Sequence, residues 1–293
     1  MTEQPLGIDQ NPTMASEPLP WPVEPAPDPV DADLEPLLSE PLADVWASRD
    51  AAPAALRGRL LERLAVSRAA SSVMVTSRLK KLAASGLAPG VTARTLYAAP
   101  RDRALRPGEP LRARLIDLQP GSSWRASGGD VHREWLVLRG AVRLDGTDLG
   151  LRDYHVSPAG SAHGFALTSP RGARLFLRES PPAAGSGGAA CTVRDAEAGW
   201  PAYAPGIRRR VLWQRDGQAA LLYHAQPGAA VPQHTHEHDE ECLMVQGELF
   251  LDDLLLQEGD YQLAPAGTGH RITQTDTGVV IYAHGDLDLR FTV

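Results

Sequence analysis

The sequence predicts an all-β protein of two tandem modules behind a differently composed amino-terminal region, and three observations carry that prediction. From residue 86 onward, short β-branched runs alternate with Gly, Pro and Asp turns at intervals of about 8–12 residues, the rhythm of all-β folds. Twenty-five of the 27 glycines lie in that same stretch. The chain also repeats itself. APGVTARTLY (88–97) matches APGIRRRVLW (204–213) at an offset of 116. LQPG (118–121) matches AQPG (225–228), LRG ending at Gly140 matches VQG ending at Gly247, and SPAGSAH (157–163) matches APAGTGH (264–270), all at an offset of 107.

The elements follow in order. Residues 1–40 are acidic and rich in proline, without apolar periodicity, and are expected to form a disordered arm in which Trp21 is a lone anchor. Residues 41–86 are expected to be helical: Pro53 suits a first turn, and Leu56, Leu60, Leu61 and Leu64 recur with helical spacing. A second helical stretch is expected from about Val73 to Ala84, with Val75, Leu79 and Leu82 on one face and Gly86 as its stop. The polar side of this region is basic, with Arg57, Arg59, Arg63, Arg68, Arg78, Lys80 and Lys81, whereas residues 1–50 carry eleven acids against Arg49 alone. Such a pair can hold together, or hold a partner protein, by charge complementarity. Residues 87–180 are expected to form the first module, 181–198 a linker that begins PPAAGSGGAA, and 199–293 the second module.

Composition excludes several classes. A net charge of −7 argues against a general nucleic-acid binder. Two cysteines, Cys191 and Cys242, are too few for a disulfide scaffold. No apolar run has the roughly 18 residues of a membrane span, and MTEQPLGIDQ lacks the basic and apolar regions of a signal peptide. A soluble cytoplasmic protein is the resulting expectation.

The chemistry concentrates in the second module. All nine histidines follow residue 131, and three fall within 234–238. His234 and His236 are two apart, so on a strand both leave the same face. Glu240 opens the next strand, and His270 arrives from a third after the Pro265–Gly267 turn. Three imidazoles and a carboxylate converging this way predict a divalent metal site with positions left for water or a ligand.

These stretches resemble the two cupin motifs, G(X)5HXH(X)3–4E(X)6G and G(X)5PXG(X)2H(X)3N. The first runs Gly228, His234, His236, Glu240, Gly247 and the second Gly259, Pro265, Gly267, His270, with Gln274 in place of the final Asn. The resemblance implies tandem double-stranded β-helix (jelly-roll) barrels. The flavour of the motif, with its preceding PGI or PGV strand, is most similar to the ChrR-type sensor cupins, in which a zinc-binding cupin follows a helical anti-sigma domain. PAALRGRLLERL resembles, weakly, the helix joining those two parts. The HxxxCxxC zinc motif of the anti-sigma domain is absent, because residues 1–131 contain neither His nor Cys.

The first module has lost the ligands. At offset 107, Ser127, Gly129 and Arg133 replace His234, His236 and Glu240, and only His163 still matches, at His270. Two readings stand: a degenerate scaffold, or a pocket in which Arg133, Trp135 and His163 receive an anionic ligand. His132 and Glu134 have the opposite strand parity from Arg133 and should point elsewhere. Cys242 shares parity with Glu240 and is either an inert core thiol or a redox sensor near the metal.

The expected cofactor is one divalent ion per chain, zinc first, with iron, manganese or nickel as alternatives. The expected function is a ChrR-like regulator that senses a small molecule or oxidant and engages a protein partner through residues 1–86. The competing expectations are a metal-dependent dioxygenase on a small diketone or phenolic substrate, with Glu240 as base, and a structural bicupin whose metal only clamps the barrel. A homodimer through cupin edge strands is a further expectation.

Overall fold

The computed structural model describes residues 54–126, 129–159, 164–182 and 190–291. The acidic arm with Trp21, the start of the expected helical region, the core of the linker (183–189), Ser127 and His163 lie outside them. Among the described residues no helix is long and apolar enough to cross a membrane.

Each module is built on a seven-strand path in the same order. In the first, Cys191–Val193, Tyr154–Ser157, His132–Gly140, Ala173–Ser180, Arg112–Leu118, Val91–Ala98 and Ser85–Ala88 are successive neighbours. In the second the path is Val75–Ser77, Tyr261–Ala264, Glu240–Leu251, Val279–Asp286, Gln218–Ala225, Ile207–Arg215 and Ala202–Ala204. Shorter strands fold over each path to close a jelly-roll barrel. The repeat seen in the sequence is therefore a repeat of whole barrels.

The outermost strand of each path comes from the segment that precedes the other module. Val75–Ser77 pairs with Tyr261–Leu263, and Cys191–Val193 pairs with Tyr154–Val156. This corrects the expected helix from Val73 to Ala84: a helix spans Ala54–Val73, and beyond it lie a strand and a 3-10 turn, Leu79–Lys81. The β-branched Val75 and Thr76 favour extension, and the sheet edge that accepts them lies almost two hundred residues away, beyond any local pattern. Gly86, expected to stop that helix, sits within the strand Ser85–Ala88.

A matched clasp follows each exchanged strand. Arg78 Nη1 bonds Asp260 Oδ2 at 2.9 Å while the backbone N–H of Leu79 donates to Asp260 Oδ1 at 2.9 Å. Arg194 Nη1 bonds Asp153 Oδ2 at 2.9 Å while the N–H of Asp195 donates to Asp153 Oδ1 at 2.9 Å. Both arginines also donate to a backbone carbonyl, of Leu255 and Asp148 respectively. The expected linker 181–198 thus carries structure: the exchanged strand, the clasp and a short helix, Asp195–Ala198.

Among the described residues, three apolar cores result. One fills the first barrel, around Trp124, Trp135, Phe165 and Leu175. Another lines the second, around Ile207, Met244, Leu249 and Ile281. The third joins the modules, packing Leu96, Leu136, Tyr154 and Phe176 against Leu222, Leu243, Tyr261 and Tyr282. Strands facing a barrel on one side and the other module on the opposite side are buried throughout, as in Val279–Asp286, where all eight residues are buried. On the helix Ala54–Val73, Leu61 and Leu64 are exposed.

Candidate metal centre

The ligand set assembles at one end of the second barrel. His234 and His270 face each other across a short ladder, with their Cα atoms in register. That close pairing requires Gly269, where an added Cβ would lie 2.3 Å from the His234 carbonyl oxygen. The neighbouring turn is locked by two backbone bonds, His236 N–H to the Thr268 carbonyl (2.9 Å) and Gly267 N–H to the His236 carbonyl (2.8 Å). Glu240 begins the long strand Glu240–Leu251.

The three imidazoles lie with ring centroids 5.1–5.7 Å apart. Glu240 Oε2 is 3.3 Å from His236 Nε2 and 3.7 Å from His270 Nε2. All four residues are buried. The potential donor atoms of His234, His236 and Glu240 lie within 4.8 Å of one another.

Second-layer contacts fix which ring nitrogen faces inward. His234 Nδ1 bonds the Pro232 carbonyl at 3.0 Å, and His270 Nδ1 lies 3.3 Å from Asp252 Oδ2, which leaves each Nε2 for a ligand role. Asp252 sits at the left-handed φ of 54° in a hairpin turn and also accepts the N–H groups of Arg271 and Ile272. Burial opposes its charged form, but the His270 and backbone bonds outweigh burial and lower its pKa. Burial lowers the pKa of His236, with the Glu240 carboxylate opposing, so that imidazole favours the neutral form a metal needs.

The residues fit a divalent ion on a direct observation: both ring nitrogens of His236 are buried without a hydrogen-bond partner. A buried imidazole left so costs free energy unless something occupies its lone pair. His234, His236, Glu240 and His270 would hold the ion, which supplies Lewis acidity and, if redox-active, electron transfer. The third member of the histidine run, His238, has a different job. Its Nδ1 bonds Asp286 at 2.6 Å, and that carboxylate also accepts the N–H groups of Glu237 and His238, stiffening the loop between ligands.

Beyond the ligands the barrel keeps a cavity of about 60 Å³, walled mainly by apolar side chains including Ile207, Val231, Leu249 and Ile281. Cys242 lines it, as strand parity predicts, and Met244 is core. Burial, then the Glu240 carboxylate, pushes the Cys242 thiol well above its ordinary pKa. That is the opposite of what a reactive sensing thiolate requires.

Sequence reasoning did not find Gly285 or Asp252. A Cβ at Gly285 would stand 3.2 Å from Glu240 Cα and 3.3 Å from its Cγ, so the glycine makes room for the carboxylate ligand. The signal was available in the repeat, because the strand Ala173–Ser180 carries Glu179 where Val279–Asp286 carries Gly285.

In the first barrel an ion pair, Arg133 and Glu179, stands at the positions of Glu240 and Gly285. Arg133 Nε bonds Glu179 Oε1 at 3.2 Å, and the Arg133 guanidinium lies over the Phe165 ring at 5.4 Å. Trp135, at the position of Cys242, is fully buried and meets Phe165 edge to face at 4.8 Å, with Trp124 on Phe165 at 4.7 Å. The expected pocket of Arg133, Trp135 and His163 is corrected accordingly: Trp135 packs into the filled barrel and lines no opening. His132 and Glu134 point away toward the other module, as their parity predicts, with the His132 ring 5.1 Å from Trp213.

The comparisons agree with this architecture. The model of the ChrR Cupin-like domain matches residues 189–288. No curated protein sequence matches the chain. Among solved structures, a putative dioxygenase from Nostoc punctiforme PCC 73102 is 15% identical with a TM-score of 0.55, covering 73% of this chain and 83% of that one. A mutant of Bacillus subtilis oxalate decarboxylase is 15% identical with a TM-score of 0.53, covering 74% and 78%. Vicilin from hazelnut, Corylus avellana, is 10% identical with a TM-score of 0.56, covering 72% and 85%. At such identities the likeness speaks for the fold alone. The chain thus has the fold of two jelly-roll barrels in tandem, and its second barrel matches the ChrR Cupin-like domain.

Proposed function

We propose that this protein is a metal-dependent sensor, in which the second barrel receives a small molecule or oxidant and the amino-terminal helix passes the change to a protein partner. The observation that carries the reading is the connection between helix and ligand. The helix Ala54–Val73 runs into Val75–Ser77, whose Val75 pairs with Leu263, and Leu263 pairs with Glu241, the neighbour of Glu240. Arg63 of the helix also bonds Asp253 at 2.7 Å, beside the Asp252 that orients His270. A shift of Glu240 or His270 therefore has two short mechanical routes to the helix, whose exposed Leu61 and Leu64 are available to a partner. The cavity of about 60 Å³ at the ligands suits a ligand of a few atoms better than a phenolic ring.

Zinc suits this role because it binds without redox chemistry. The competing reading is a metal-dependent dioxygenase with Glu240 as base. Hydrogen exchange across 54–77, compared between metal-loaded and metal-stripped protein and after mild peroxide treatment, separates the two. Sensing requires a change of protection in the helix. Equal protection in every state, or oxygen uptake with iron-loaded protein and a diketone or phenol, overturns it. Metal content of protein from its host, compared with a His234→Ala/His236→Ala variant, identifies the ion.

A further inference from the structure

The first barrel differs from the second in more than the loss of its ligands. Deep inside, the space is refilled with aromatic rings, the expected fate of a vacated site. At the mouth it is refilled with arginines. Arg112, Arg114 and Arg133 all converge on one carboxylate, Glu179, through contacts of 2.6, 3.2 and 3.2 Å. Arg114 and Arg133 are both more than nine-tenths buried, and the Nε of Arg114 is buried without a partner. Arg112 reaches solvent, so the buried part of the cluster sets two guanidinium groups against one carboxylate and leaves one positive charge uncompensated. Burying an uncompensated charge is costly, and an apolar replacement would avoid the cost. A scaffold that had merely lost its metal has no reason to bear it.

The geometry of Arg133 shows where a counter-ion fits. Glu179 takes its Nε, and Phe165 supports its face. Its two terminal nitrogens carry no hydrogen bond among the described residues, and the side chain borders a cavity of about 310 Å³. Gly129, at the position of His236, leaves its space to this guanidinium, with Arg133 Nη2 at 3.6 Å from where a Cβ would stand. Around the same cavity stand the hydroxyl residues Thr147 and Ser157 and the buried His155, whose Nδ1 is held by Thr192 at 2.8 Å. The acid on the wall, Asp145, already accepts the N–H of Ala166 at 2.7 Å.

We propose that the first barrel binds a small carboxylate anion at the place where the second would hold its metal, with Arg133 as the binding group and Ser157 and Thr147 as supporting donors. The terminal edge of a guanidinium presents two parallel N–H bonds that match the two oxygens of a planar carboxylate. Arg133 is oriented in advance by Glu179 and Phe165, so little freedom is lost on binding. The two barrels would then read opposite charges, a cation in one and an anion in the other.

The test titrates malonate, succinate, benzoate and inorganic phosphate into full-length protein by calorimetry. It uses the wild type and the His234→Ala/His236→Ala variant, in which no metal competes for the anion. At least one carboxylate is expected to bind both proteins, with phosphate weaker. Arg133→Met is expected to weaken that binding at least tenfold. Ser157→Phe, which fills the cavity and leaves the Arg133–Glu179 pair intact, is expected to abolish it, and it decides the matter should Arg133→Met fail to fold. The proposal is overturned if no carboxylate binds, if phosphate alone binds, if Arg133→Met or Ser157→Phe binds as tightly as the parent, or if binding disappears with the metal ligands.

Discussion

Glu134 and Glu241 occupy the same position in the two barrels, and one side chain, Arg178, binds both: Glu134 Oε1 at 2.8 Å and Glu241 Oε2 at close range. Each carboxylate also accepts its own equivalent tyrosine, Tyr154 at 2.5 Å and Tyr261 at 2.6 Å. Tyr282 adds a bond to Glu134 at 2.9 Å. The ion cluster sits at the centre of the interface between the modules, entirely out of water.

Arg178→Met leaves two buried carboxylates without a cation. The expected loss is about 3–5 kcal/mol, the usual range for removing one member of a buried ion pair. Urea unfolding measures it. Adding Glu241→Gln to that variant should restore part of the stability, because an amide can be buried next to Tyr261 at less cost than a charge. No rescue would mean that packing, not charge, holds Arg178.

His284 lies 3.5 Å from Glu134 and stacks on Trp213 at 6.0 Å, with neither ring nitrogen hydrogen-bonded. Burial, and then the Arg178 charge, lowers its pKa to about 3. A histidine that stays neutral in the fold but charges near pH 6.5 when unfolded favours the unfolded state as pH falls. Its contribution is therefore fully present above about 6.5 and is lost progressively down to about 3. The slope expected from this group is about 1.4 kcal/mol per pH unit. Unfolding curves at pH 6.5, 5.5 and 4.5 should be flatter for His284→Gln than for the wild type.

Gly285→Ala puts a methyl group 3.2–3.3 Å from Glu240, close enough to push the ligand aside. Metal affinity should fall about 10–100-fold, the scale seen when groups supporting a metal site are altered, while the fold is kept. Competition with a chelator of known affinity reads this directly. Unchanged affinity would show that Glu240 is free to move.

Asp260→Ala removes the acceptor shared by Arg78, Leu79 N–H and Gln257 N–H, and with it the clasp on the exchanged strand. The expected cost is about 1.5–3 kcal/mol per lost charged hydrogen bond at most, reduced by the partial exposure of Arg78. The amides of 75–77 should exchange with solvent faster than the rest of the second sheet. Asp153→Ala should do the same to 191–193, because the two clasps are copies. Uniform destabilisation without a local effect would contradict a clasp.

The presence of two barrels and the convergence of His234, His236, Glu240 and His270 were legible in the chain. Both depend on short-range spacing: HxHxxxE needs only a strand and a tight turn to converge, and a tandem repeat advertises itself. Strand parity likewise placed Cys242 in the second barrel and turned Glu134 away from the first. The strand Val75–Ser77 was misread as helix because its partner edge is supplied by the far module. Trp135 was misread as pocket lining because whether an inward residue meets a cavity or another ring depends on Trp124 and Phe165, which come from other strands.

The sequence by itself determined the repeat, the candidate ligands and the asymmetry by which one copy keeps three imidazoles and a carboxylate while the other has Arg133. Those are matters of residue type at fixed spacing, which the chain carries openly. Only the tertiary structure decided that each barrel is closed by a strand from the other's approach, and that Gly285 and Glu179 stand behind Glu240 and Arg133. The pairing of Glu134 and Glu241 through Arg178 was likewise its decision. Burial, charge balance and the space left by a missing Cβ are properties of neighbours brought together by folding, and no local pattern encodes them.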